Sequence, residues 1–178
     1  KRPTEIYVYA RQSSLWIRKW GVLPLVIAPE WFIGDNRGDR VLIVSPYAQV
    51  KGNDHDSIIS SAQHELVHTI NYQIDPKLSY WLDNGVATYL ANQVPAEDFA
   101  RNQPIPEFSD LESESQLRFG KIGGYQFSYT YIEYIDKTYG WDSVLALVRG
   151  NQTYQEIFNK SAHHIYTEWV RYVKLRYC

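Results

Sequence analysis

Cysteine is almost absent from the 178 residues. Cys178 is the only one, so no internal disulfide forms and no cysteine-based metal knuckle exists. Methionine is missing altogether, which reads as a processed or excised domain. Long apolar runs are missing too. The longest, Val22 to Pro29, has eight residues and two prolines, whereas a membrane-spanning helix needs about 20 apolar residues. The opening Lys1-Arg2-Pro3-Thr4 is not a signal peptide. No excess of positive charge exists either: 18 Lys and Arg against 20 Asp and Glu leave −2, with both signs scattered. That excludes a phosphate-binding surface as the organising theme, and nucleic acid as the partner.

What is present suffices for one domain with a core. Leu, Ile, Val and Phe make up 47 of 178 residues, about a quarter, above the roughly one-fifth level at which disorder becomes the default. The length suits a single domain over residues 1–178, with a sheet and one helix in about 1–75 and a helical part in about 76–178. The first third alternates like strands at Glu5–Tyr9, Leu25–Ile27, Trp31–Ile33 and Val41–Val44, with a turn-rich connection over 34–39. Ser13 or Ser14 is the expected cap of a short helix ended by Gly21. From Asp56 the period becomes helical. Ile58, Ile59, Ala62, Leu66, Val67 and Ile70 are expected on a buried face, and Asp75-Pro76 breaks the pattern. Ser79 is placed to cap a helix over 80–92. Residues 93–123 read as a long excursion with room for a short helix, and helices are expected over 125–139, 142–149 and 161–177. Strands first and helices after predict an α+β domain.

The chemistry concentrates in His64-Glu65-Leu66-Val67-His68. Histidines at i and i+4 stack on one helical face, where both imidazoles reach a single ion. Neutral imidazole suits zinc, and such a pair leaves a coordination position open for water. Glu65 sits one residue along, near enough to accept a proton from water instead of binding metal. His55, His163 and His164 are assigned no role.

A second string, Trp81-Leu82-Asp83-Asn84-Gly85-Val86-Ala87-Thr88-Tyr89, opens the next helix. Together the two strings resemble the gluzincin metallopeptidases, the clan that includes thermolysin and the zinc aminopeptidases. Gly124-Tyr125-Gln126-Phe127-Ser128 with Tyr134-Ile135, then Trp141–Leu145 and Glu168-Trp169, resemble the helical tail of the same domain. The resemblance implies a zincin-like fold, with a twisted mixed sheet above an active-site helix and a second ligand-bearing helix. It further implies one zinc ion on His64, His68 and residue 84, Glu65 as general base, and Tyr125 as hydrogen-bond donor to the oxyanion. The expected activity is hydrolysis of a peptide or protein substrate.

The chain departs from the family at residue 84, where the third ligand is a glutamate and this sequence has Asn84. A carboxamide oxygen is a weaker, neutral donor. Three arrangements stay open: Asn84 ligates weakly, Asp83 swings in from about 100° around the helix, or no metal is held. The rival reading is therefore a gluzincin fold that has lost catalysis and acts as a binding or regulatory module. Glu30 to Gly34 is the expected strand at the rim of the cleft, able to pair with extended substrate, and Val41–Val44 the inner strand. Nothing there matches the Gly-x-Met-Glu-Asn motif with which zinc aminopeptidases hold a free amine, so an endopeptidase is the better expectation. A methionine-free, cysteine-poor domain suits an exported bacterial protein.

Overall fold

The computed structural model describes residues 3–21, 30 and 32–178. Among these the chain is α+β, with a three-stranded mixed sheet and eight α-helices. The strand expected at 25–27 lies outside the described residues, as does Trp31. The chain divides into two compact units, Lys1–Gln73 and Ile74–Cys178.

In the first unit, strand β1 (Glu5–Tyr9), helix α1 (Gln12–Trp20), strands β2 (Gly34–Arg37) and β3 (Arg40–Val44) and helix α2 (His55–Ile74) follow in order. β3 is central, parallel to β1 and antiparallel to β2. Its apolar run Val41–Val44 is fully buried and forms the core with Leu15, Phe32, Ile33, Val50 and Ile58. Burial of both faces explains why β3 reads as continuous Val, Leu and Ile.

Two expectations are corrected here. The strand expected at 31–33 and the turn expected over 34–39 exchange roles. Phe32 and Ile33 are buried but lie outside the sheet, while Gly34–Arg37 form β2. Only Gly38 and Asp39 turn the chain, with Gly38 at φ 63° as the first residue of a two-residue hairpin. The polar residues of β2 are strand-forming because each finds a partner beside the sheet, which composition alone does not reveal. Helix α1 starts at Gln12 behind Arg11, which makes no side-chain cap bond, so neither Ser13 nor Ser14 caps it. Gly21 does end it, at φ 84°.

Of the face expected on α2, Ile58 and Val67 are buried and Ala62 and Leu66 pack partly buried against the core. Ile58, His64, Val67, Thr69 and Asn71 are buried, whereas Ile59 and Ile70 are exposed. His64, Val67 and Asn71 step by three and four along the inward stripe.

The second unit holds α3 (Tyr80–Leu90), a 3-10 turn (Phe108–Glu112), α4 (Gln116–Lys121), α5 (Gly124–Tyr139), α6 (Trp141–Arg149), α7 (Tyr154–Phe158) and α8 (Ala162–Arg176). Ser79 and Ser161 cap α3 and α8 by accepting from the Leu82 and His164 amides. α7 was not expected, although Thr153 and Glu156 spell its capping box. α5 is the axis of this unit, buried without a break from Phe127 to Ile135. The rings of Trp81, Phe127, Tyr131 and Trp169 pack edge to face around it. Among the described residues no helix is long and apolar enough to cross a membrane.

α3 reaches α5 at Gly85. A Cβ there would stand 2.7 Å from the Ser128 carbonyl oxygen and 2.9 Å from Ile132 Cγ1. Gly85→Ala gains about 1 kcal/mol of helix propensity but forces a backbone atom aside, which costs typically 1–3 kcal/mol and occasionally more. The clash with backbone wins. We expect a net loss of about 1–2 kcal/mol, read as a lower urea midpoint with unchanged slope. Equal stability would mean that the two helices separate freely.

Candidate active site

On α2, residues 64 and 68 are one turn apart and their rings meet. The two Nε2 atoms lie 3.0 Å apart, with ring centroids at 4.7 Å and an interplanar angle of 76°. Two imidazole nitrogens each roughly 2.0–2.1 Å from one tetrahedral zinc stand about 3.3 Å apart. The pair thus fits two ligand positions with a shift of a few tenths of an ångström. His64 is buried and His68 half-buried.

Glu65 sits beside them on the face toward β2. Burial pushes its carboxyl above the usual carboxylate range. Hydrogen bonding from Asn36 and the nearby His68 act the other way, without cancelling it. Asn36 Nδ2 donates to Glu65 Oε2 at 2.8 Å. A carboxylate whose proton affinity is raised by burial, and which a neutral donor holds, is suited to accept a proton.

In the second unit, Asn84 is buried, 2 % exposed, on the side of α3 that holds Gly85. Its Nδ2 donates to the Tyr80 carbonyl at 2.9 Å, one turn back. An amide nitrogen does not ligate zinc, so Oδ1 is the ligating atom Asn84 offers. Asp83, half-buried in the first turn of α3, complements the helix dipole.

Tyr80 is a member of this group that the sequence did not reveal. Burial raises its phenol well above the ordinary value, and its hydroxyl contacts the side chains of both Tyr125 and Asn84. Tyr125 adds to the rise, as an acceptor of the Tyr80 proton does; Asn84 opposes it, as an amide donor to the phenol oxygen does. Tyr125 begins α5 behind Gly123, which caps the helix at φ 70°. Phe119 sets the two phenols side by side, edge to face with Tyr80 at 4.8 Å and with Tyr125 at 5.0 Å. Gly124 makes room for that ring, since a Cβ there would fall 2.5 Å from it. Tyr125 remains 46 % exposed. The i, i+4 spacing of Tyr80 and Asn84 was the available signal. Tyr80→Phe removes a hydroxyl with two partners, and we expect a loss of about 1 kcal/mol in urea unfolding; no loss would mean that the cluster is not formed in solution.

The structure thus joins His64, His68 and Glu65 within the first unit, and Asn84 and Tyr125 within the second. Among the described residues no group of three His, Cys, Asp or Glu is arranged to hold a metal ion. Glu65, next to the imidazole pair, accepts a hydrogen bond from Asn36. His55 pairs with Asp56 at 2.9 Å and His164 with Glu168 at 3.3 Å. Compared with known protein families, with curated proteins and with solved structures, the chain finds no match in any of the three.

Proposed function

We propose that the chain is a zinc-dependent peptidase acting on peptide bonds within a peptide or protein substrate. The observation that carries this reading is the imidazole pair, with its Nε2 atoms 3.0 Å apart and a partly buried carboxylate between them in sequence. His64 and His68 would hold the ion through Nε2, and Asn84 through Oδ1. Zinc, when bound, supplies a Lewis acid that polarises the scissile carbonyl and lowers the pKa of water. Glu65 accepts the proton of the attacking water and returns it to the departing amine. Tyr125 donates a hydrogen bond to the reacting carbonyl oxygen as it gains negative charge, and the Tyr80 hydroxyl orients it. Nothing around Glu30, which pairs with Lys51 at 2.9 Å on the surface, matches the motif with which zinc aminopeptidases hold a free amine. This favours an endopeptidase over an aminopeptidase.

A second reading, a silent fold used for binding, is favoured by Asn84 alone. Its amide is tied to its own helix and contributes no charge to an ion. Hydrolysis of fluorescein-labelled casein by zinc-supplemented protein separates the two. The peptidase reading expects turnover that a chelator abolishes and that His64→Ala lacks. Zinc binding without turnover supports the silent fold.

A further inference from the structure

We propose that Asn36 is a positioning residue for the Glu65 carboxylate, so that strand β2 sets the geometry of the proton acceptor. The inference rests on the reading of Glu65 as general base, and it is carried by the alternation of β2. Successive strand residues face opposite sides of a sheet. Asp35 pairs with Lys19, and Arg37 Nη2 donates to the Lys19 carbonyl at 3.2 Å, so both face α1. Gly34 and Asn36 face α2. The register agrees, since they pair with Ile43 and Val41 of the buried central strand.

On that side the strand is shaped to one group. A Cβ at Gly34 would stand 2.7 Å from Ile43 Cδ1 and 3.3 Å from Glu65 Cγ, so a glycine lets β2 lie directly against the glutamate stem. Two residues on, the Asn36 amide reaches Oε2 at 2.8 Å. One position admits the glutamate and the other fixes its head. With Oε2 held by Asn36, Oε1 is the oxygen left to take a proton. The side chain at 36 must be a neutral donor. A carboxylate there donates nothing to an ionised Glu65 and repels it, and an alkyl group leaves the head free to rotate. A general base gains from this because proton transfer needs its oxygen held within about half an ångström.

The test has one arm that needs neither metal nor turnover. In 15N-labelled, metal-free protein, the Asn36 side-chain amide is assigned by its disappearance in Asn36→Asp. The account predicts that Glu65→Ala moves this pair of resonances to the values of a freely exposed asparagine, while Glu65→Gln, which keeps an acceptor at the same place, moves it far less. An Asn36 pair indifferent to Glu65→Ala in an otherwise unchanged spectrum overturns the proposal. Should Glu65→Ala not fold, the isosteric Glu65→Gln still decides, through through-space contacts between the Asn36 amide and residue 65; their absence overturns the proposal. The second arm uses labelled casein with zinc-supplemented protein. Asn36→Ala is expected to lower kcat about tenfold with KM little changed; an unchanged kcat overturns the proposal. Absence of hydrolysis by the parent overturns the peptidase reading instead, which the resonance of Asn36 does not depend on.

Discussion

Glu65→Gln is expected to lower peptide hydrolysis by about 10²–10⁴-fold, the usual contribution of a positioned general base, without weakening the fold. The glutamine keeps the shape of the side chain and an oxygen that accepts from Asn36, but it cannot take a proton from water. The stability side follows from the raised proton affinity of Glu65. A carboxyl whose folded pKa lies above its unfolded value favours folding in its protonated form. That advantage is present below the ordinary carboxylate range and is lost as pH rises through the elevated value. At neutral pH the parent therefore carries a burial penalty that the variant lacks. The variant should be at least as stable at pH 7, with the difference shrinking toward pH 4. Urea midpoints at the two pH values and initial hydrolysis rates read both effects. A fully active Glu65→Gln would remove Glu65 from the mechanism.

Asn84→Glu has the next largest expected effect, and its sign depends on zinc. Without metal, the new carboxylate faces the Tyr80 carbonyl from which Asn84 now draws a hydrogen bond at 2.9 Å. A buried acceptor is thus set against another acceptor, which costs about 1–3 kcal/mol. With zinc, the same change supplies an anionic oxygen in place of a neutral one. Changes outside the coordination shell alone alter affinity by about 10–100-fold, so a ligand charge is expected to raise it at least that far. The variant should therefore melt below the parent in chelator and regain stability in zinc, because an ion bound only by the folded state stabilises it by mass action. If activity arises where the parent has none, the natural chain is a silenced peptidase. An unchanged zinc affinity would take residue 84 out of the metal site.

Periodicity and punctuation made the helices legible. Ser79, Ser161, Gly21, Gly140 and Gly150 each mark an end that the structure keeps, because caps and left-handed residues act locally. The placement of His64, Glu65 and His68 on one helix was readable for the same reason. What could not be read depends on partners distant in sequence. Gly34–Arg37 has the composition of a turn, yet forms a strand because Lys19 and Glu65 receive its side chains. The buried face of α2 was misplaced at Ile59 and Ile70 because two neighbouring stripes are both apolar, and only packing selects between them. In the second string, Trp81, Gly85 and Ala87 are explained by packing around α5, and Tyr89 by its hydrogen bond to Asp136 at 2.7 Å. The residues that carry the likeness in that string are thus largely structural. Tyr80, just before it, belongs to the chemical cluster.

Zinc stoichiometry and affinity on freshly prepared, chelator-free protein, with His64→Ala as the blank, decide whether the imidazole pair holds a metal. One ion per chain is expected in the parent at micromolar zinc, and none in the variant. A parent that holds no zinc at that concentration, or a His64→Ala variant that binds as the parent does, would contradict that expectation.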